Sequence, residues 1–221
     1  MIAIIGAMKI ETDSIREKMT DVALSNVGNI EIAVGKLNGV DVALLRCGVG
    51  KVAAGAATAV AIERFSPSLV INVGVAGGFG DLKPFDVVLP EYAVEHDMDT
   101  SVLGDPVGYL SDLQIVKIPL HAQSIEKIRQ SCSVSFHGGV LASGDIFVAE
   151  EDLKTRLQDT FGATCCDMEG ASIAHVCAIF GVPCIVLRTI SDSGDGCDFL
   201  QFVKTAAKEC ADIMYEGISA L

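Results

Sequence analysis

The stretch Leu69-Val70-Ile71-Asn72-Val73, running into Gly74-Val75-Ala76-Gly77-Gly78, decides how the rest of the chain is read. A short apolar run closed by glycines predicts a strand buried on both faces, with the five residues after it forming a glycine-rich loop. On its N-terminal side, 51–65 is an Ala-rich helix that Ser66-Pro67 terminates. The same rhythm spreads outward in both directions. Residues 2–5 predict a first strand closed by Gly6, and 11–19 a helix. Residues 31–36 and 40–46 flank Asn38-Gly39, a strong hairpin signal. Beyond the central run, 87–94 predicts a strand, and 95–120 a long loop holding Gly104, Pro106 and Gly108. Then come a helix at 122–131, short strands at 138–142 and 164–167, a helix at 169–180 and a buried strand at 184–189. Phe199, Phe202, Val203, Ala206, Cys210, Ile213, Met214 and Leu221 recur at three- and four-residue steps, which predicts the last helix. Strands alternating with helices imply an α/β fold whose mostly parallel or mixed sheet is covered on both faces. No compositional break or internal repeat divides residues 1–221, so one domain is expected.

Composition narrows the partners. Half of the 221 residues are apolar, enough for a sizeable core without staples or metals. The 29 acidic residues outnumber the 16 Lys plus Arg, for a net charge of −13, which repels phosphate backbones and anionic lipid heads. Nucleic-acid and membrane-surface binding are therefore disfavoured, and a small neutral or cationic partner is favoured. None of the eight cysteines forms Cys-x-x-Cys, and no His or Cys cluster has zinc spacing, so buried free thiols and no metal are expected. The N-terminus has no charged leader before its apolar run and reads as a strand. No segment has the ~20 apolar residues of a membrane span. A cytoplasmic protein follows as the expectation.

In sheets of this kind ligands bind beyond the carboxyl ends of strands. Three carboxylates stand there beside glycines and apolar neighbours: Glu11, Glu169 and Asp192. One reading is nucleotide binding. Gly48-Val49-Gly50-Lys51-Val52-Ala53 fits the loose dinucleotide fingerprint, but the following strand ends in Gly74 rather than in an acid for the ribose. A P-loop fails too, because Val52 stands where Ser or Thr must reach magnesium. The segment reads instead as a tight strand-to-helix turn. The other reading is acid–base chemistry on an uncharged substrate. A buried carboxylic acid donates a proton, a second carboxylate activates water, and a third accepts from sugar hydroxyls. Each acid also has a plain structural role open to it. Asp192 suits a helix N-cap, Glu169 a helix start and Glu11 an exposed helix face. His96-Asp97 reads as structural or interfacial, and no Gly-x-Ser-x-Gly elbow or activated cysteine marks a nucleophile.

Taken together, the strand-end motifs resemble the 5′-methylthioadenosine/S-adenosylhomocysteine nucleosidase family. The similarity runs through Ile5-Gly6-Ala7-Met8 with Glu11, the Gly48–Ala54 segment, Asn72–Gly78 and His96-Asp97. It continues through Ser143-Gly144-Asp145-Ile146-Phe147-Val148, Met168-Glu169-Gly170-Ala171 and Ala174-His175-Val176, and closes with Val182-Pro183, Arg188, Ile190-Ser191-Asp192 and Phe199. The resemblance implies a three-layer nucleoside phosphorylase-like fold with a central mixed β-sheet flanked by helices, and a homodimer. It implies hydrolysis of an adenine nucleoside to adenine and a 5-thio-substituted ribose, without a cofactor. By the same resemblance Asp192 protonates the purine N7 with support from Ser191, and Glu11 activates the water. Glu169 and Met168 hold the ribose hydroxyls, and Arg188 orders that corner. Phe147 stacks on adenine and Val148 reads its edge. Met8, Val49 and Phe199 line the 5′-thio pocket, and Ala76 and Gly77 belong to the substrate site. Thr100 and Leu103 cap the neighbouring subunit's pocket. Three departures stand out. Val75 replaces a serine that binds phosphate in related phosphorylases, Asp167 replaces the usual Glu, and the closing segment 193–198 is short. Related alternatives are futalosine-type hydrolysis and phosphorolysis, and an unrelated one is a silent nucleoside sensor.

Overall fold

In a computed structural model of the chain, residues 1–192 and 196–221 are described. The sheet begins with β1 (Ile2–Gly6), buried at every position. Helix α1 (Lys9–Arg16) follows. A meander of β2 (Met19–Val27), β3 (Ile30–Leu37) and β4 (Val40–Arg46) comes next. Asn38 and Gly39 both adopt positive φ, as the tight β3–β4 turn requires. Helix α2 (Lys51–Phe65) ends on Ser66 in the left-handed conformation, with Pro67 next, a stop built from local sequence. It leads into β5 (Leu69–Gly78).

The second half contains β6 (Val87–Val88), β7 (Tyr92–Glu95), β8 (Ile118–Pro119), α3 (Ala122–Ser131), β9 (Phe136–His137) and β10 (Val140–Ser143). Helix α4 (Glu151–Phe161), β11 (Ala163–Asp167), α5 (Gly170–Phe180), β12 (Cys184–Asp192) and α6 (Gly196–Gly217) complete it. The order β2-β3-β4-β1-β5-β11-β10-β7-β8 forms a mixed sheet, with β12 paired to both β5 and β6. Helices α2 and α5 pack on each other, and α1 and α3 both pack against α6, so the sheet lies among two helix groups. The mixed, helix-flanked α/β architecture matches the expectation. Among the described residues no helix is long and apolar enough to cross a membrane, and Cys47, Cys132, Cys165, Cys166, Cys177, Cys184 and Cys210 are free thiols.

Several boundaries differ from the sequence reading, each for a physical reason. The glycine-rich stretch 74–78 is strand, not loop, because β12 pairs with β5 from Val70 as far as Gly77. Strand β12 accordingly runs to Asp192 rather than stopping at 189. The expected helix 11–19 stops at Arg16, and Met19 opens β2, an exposed edge strand with no apolar alternation to announce it. Pro90 separates β6 from β7 within the expected strand 87–94. The expected loop 95–120 holds a short 3₁₀ turn at Ser101–Leu103 and the edge strand β8. The last helix gives way to a second 3₁₀ turn at Ile218–Ala220.

One pairing positions the site. Gly77 of β5 lies opposite Cys166 of β11 on one edge and opposite Asp192 of β12 on the other. The ends of two strands far apart in sequence are thereby brought to the two sides of one glycine.

Candidate active site

A cavity of about 290 Å³ opens at these strand ends. Twelve of the fifteen site residues assigned from sequence line it: Met8, Glu11, Val49, Ala76, Gly77, Phe147, Val148, Met168, Glu169, Ser191, Asp192 and Phe199. Ala7, Val75, Ile146, Cys166 and Asp167 line it as well. Val75 and Asp167 are the two positions at which the sequence departs from the family pattern, and Ala7 and Ile146 are sequence neighbours of predicted residues, so motif adjacency could have found them. Cys166 could not be found that way, because a cysteine in an apolar strand reads as core. Burial pushes the Cys166 thiol well above its ordinary pKa and the half-buried Cys47 up to about 12. Neither supplies a thiolate near neutral pH.

Glu11 sits in the first turn of α1, and it is buried rather than on the exposed face that a structural role would have given it. Its Oε2 accepts the backbone N–H of Ala7 at 3.0 Å and of Met8 at 2.7 Å, the second being half of a capping box. Its Oε1 accepts the Val75 N–H at 3.1 Å across the sheet. Burial raises its pKa, opposed by these amides and by the nearby Arg188. The result is a fixed carboxylate with more proton affinity than an exposed one, as a general base requires.

Glu169 stands at the N-cap position of α5, but its side chain turns to α2 instead, accepting the Gly50 N–H at 2.8 Å through Oε1. Burial first, then the adjacent Asp167 charge, pushes its pKa up to about 7. Asp167 Oδ2 meets the Arg188 guanidinium at 2.5 Å and accepts the Gly170 N–H at 2.8 Å. The Ser143 hydroxyl donates to Asp167 Oδ1, and Arg188 also donates to the side-chain oxygen of Asn72. Arg188 is fully enclosed and does not line the cavity, so its place is behind the carboxylates rather than against a substrate.

Asp192 is the last residue of β12, not the helix cap that its type also allowed. It is buried, and its Oδ2 accepts the Ser191 hydroxyl at 2.7 Å. The rings of Phe147 and Phe199 meet edge to face at 5.7 Å over the cavity. Met8 and Phe199 pack with Val75, Ala206 and Ala207 into a small apolar cluster, which makes that end of the cavity suited to an uncharged, greasy group.

The Gly48–Lys51 segment is a strand-to-helix turn, with Gly48 and Gly50 both at positive φ. The amides opening α2 are occupied by the protein itself, Gly50 by Glu169 and Lys51 by Asp145. The Lys51 ammonium is held by Asp97 at 2.6 Å and Glu95 at 3.0 Å. Thr100 and Leu103 are not brought to this cavity. Thr100 donates to Asp105, and Leu103 is 80% exposed on the 3₁₀ turn. The expected closing segment 193–198 falls at residues 193–195, outside the described residues, and at 196–198 on the first turn of α6. Among the described residues no group of three or more His, Cys, Asp or Glu is placed to hold a metal ion.

The family model for the phosphorylase superfamily matches residues 1–219. A relative from Geobacillus sp. (strain WCH70), named 5′-methylthioadenosine/S-adenosylhomocysteine nucleosidase, is 38% identical over 233 residues, which cover 100% of this chain and 98% of that one. The crystal structure of the enzyme of that name from Neisseria meningitidis, in complex with methylthio-immucillin-A, superposes with a TM-score of 0.95 at 32% identity, covering 100% and 99% of the two chains. The futalosine hydrolase of Helicobacter pylori strain 26695 is similar at the same TM-score and 31% identity, covering 100% and 97%.

Proposed function

Because this chain belongs to the phosphorylase superfamily and, within it, to the 5′-methylthioadenosine/S-adenosylhomocysteine nucleosidases, we propose that its cavity hydrolyses the N-glycosidic bond of those two nucleosides. The products are adenine and the 5-thio-substituted ribose. The observation that carries this reading is the convergence of Glu11, Glu169 and Asp192 on one cavity with an apolar end. Asp192, supported by Ser191, gives or shares a proton with the purine N7, so that adenine leaves neutral. Positive charge develops on the ribose as the bond stretches, and the surrounding carboxylates stabilise it. Glu11 takes a proton from the water that attacks the anomeric carbon. Glu169 and the Met168 backbone hold the ribose hydroxyls. Phe147 stacks on adenine, Val148 reads its edge, and Ala76 and Gly77 floor the site. Met8, Val49 and Phe199 receive the 5′-thio group.

Water rather than phosphate as the attacking species is supported by the local charge. The Val75, Gly50 and Lys51 amides already serve carboxylates of the protein, and the Arg188 cation is enclosed and paired with Asp167. An anionic co-substrate would meet three carboxylates and no offered donor at those positions. Adenine release from methylthioadenosine in phosphate-free buffer is the expected result. Release only on adding phosphate would replace hydrolysis with phosphorolysis. The similarity to a protein named futalosine hydrolase makes a futalosine-type nucleoside the second substrate to try. Competition between the two substrates in one assay ranks them.

The single domain 1–221 carries this activity as a cytoplasmic homodimer. The free thiols fit a reducing compartment. Val102 and Leu103 project from the 3₁₀ turn as exposed apolar side chains beside Thr100, suited to covering a neighbouring subunit's pocket. Elution as a monomer in size-exclusion chromatography would overturn the dimer and the roles of Thr100 and Leu103.

A further inference from the structure

Two carboxylates share the N-terminus of α2, and they come from different parts of the site. The Gly50 N–H donates to Glu169 Oε1 at 2.8 Å, and the next amide, that of Lys51, donates to Asp145 Oδ1 at 2.8 Å. Glu169 belongs to the ribose corner. Asp145 belongs to the loop between β10 and α4 that carries Phe147 and Val148. The second connection is closed into a ring. The Asp145 N–H donates to Asp97 Oδ2 at 2.9 Å, and Asp97 Oδ1 meets the Lys51 ammonium at 2.6 Å. Lys51 is thus joined to the loop through both its amide and its side chain.

Elsewhere the loop is held by the Gly144 N–H donating to the Asp167 carbonyl, by buried Val148 and by the edge-to-face contact of Phe147 with Phe199. Ile146 and Phe147, directly after Asp145, are each 48% exposed. The turn is shaped for the contact with Asp145. Gly50 has a φ of +98°, and a Cβ added there would lie 3.0 Å from Asp145 Oδ1. The partly positive end of a 15-residue helix favours both carboxylates.

We propose that Asp145 is a positioning residue, which latches the purine-reading loop onto the start of α2 and so keeps it in register with the ribose corner. The inference rests on the nucleosidase reading for what the two halves of the site bind. Its structural content, a latched loop, stands apart from that reading. Asp145 does not line the cavity and touches no reacting group. Its loss therefore weakens purine binding more than it slows bond cleavage.

The test compares Asp145→Ala and Asp145→Asn with the parent protein. Three readouts are used: steady-state kinetics on methylthioadenosine, inhibition by adenine, and hydrogen exchange at the amides of residues 146–148. Loss of one capping-type hydrogen bond predicts that Asp145→Ala raises KM and the adenine inhibition constant about five-fold each, while kcat stays within about two-fold. Exchange at 146–148 accelerates in the same variant. Asp145→Asn, whose amide oxygen accepts the same Lys51 N–H, restores all three towards parental values. Unchanged KM and exchange in Asp145→Ala overturn the proposal. So does an Asn variant no better than Ala, or a fall in kcat with KM unmoved. If the parent releases no adenine, the nucleosidase reading fails, and the exchange comparison still decides whether the latch exists. Should Asp145→Ala not fold, Asp97→Ala breaks the other side of the ring and is read by the same measurements.

Discussion

The carboxylate of Glu11 occupies the space above Gly74 that any larger residue would need. A Cβ built on Gly74 would lie 2.5 Å from Glu11 Oε1. Gly74 stands inside β5, where glycine ordinarily weakens a strand, and this close approach explains its presence. Gly74→Ala is expected to fold with a loss of about 1–3 kcal/mol, the usual cost of overpacking. Its adenine release should fall sharply, because Glu11 must leave the Val75 amide. Thermal denaturation and the activity assay together check this, and full activity would show that Glu11 tolerates displacement.

Asp192→Asn and Glu11→Gln keep the size of each side chain while removing its proton chemistry. Turnover should drop by about 10²–10⁴-fold in each, the usual cost of losing a general acid or base. Circular dichroism should be unchanged. Near-normal turnover in either variant would remove that residue from its assigned role.

Glu169 couples the site to pH. Its pKa of about 7 in the folded protein lies above the 4.5 of an unperturbed Glu. Between those values the folded state holds more protons than the unfolded one, so stability falls as pH rises from about 4.5 to 7 and then levels off. Glu169→Gln removes this dependence. The variant should match the parent near pH 4 and exceed it above pH 7, by up to on the order of 3 kcal/mol. Denaturant titrations of both proteins across that range measure the difference. Parallel curves would show that Glu169 has an ordinary carboxylate pKa.

The side chains of Arg188 and Asp167 are both almost wholly buried, at 2% and 3% exposure. Arg188→Met leaves Asp167 buried without its countercharge and is expected to cost about 3–5 kcal/mol. Arg188→Met combined with Asp167→Asn should recover part of that loss. Urea denaturation of the single and double variants gives the coupling directly, and additive losses would mean that the pair is not coupled.

Much of the fold was legible because its signals are local. The buried runs of β1 and β12 are nearly continuous in apolar residues, α2 is Ala-rich with a proline just beyond its stop, and Asn38-Gly39 supplies a turn. Strand β2 was not legible, because it lies exposed at the sheet edge and lacks an apolar alternation. Nor was the strand character of 74–78, since glycine propensity points to a loop and only the ladder with β12 overrides it.

The same division runs through the candidate site. By itself the sequence determined the α/β class, the three strand-end carboxylates and, through its motif order, the family they resemble. Backbone propensity and residue type depend on near neighbours and are written in the chain. Tertiary structure decided that Gly77 lies between Cys166 and Asp192, that Glu11 spans to the Val75 amide, and that Arg188 stands behind the cavity rather than in it. It also decided that Asp145 and Glu169 meet at one helix end. These relationships join residues as many as 119 positions apart. They depend on strand register and on which charges are buried together, and neither can be read from any one segment.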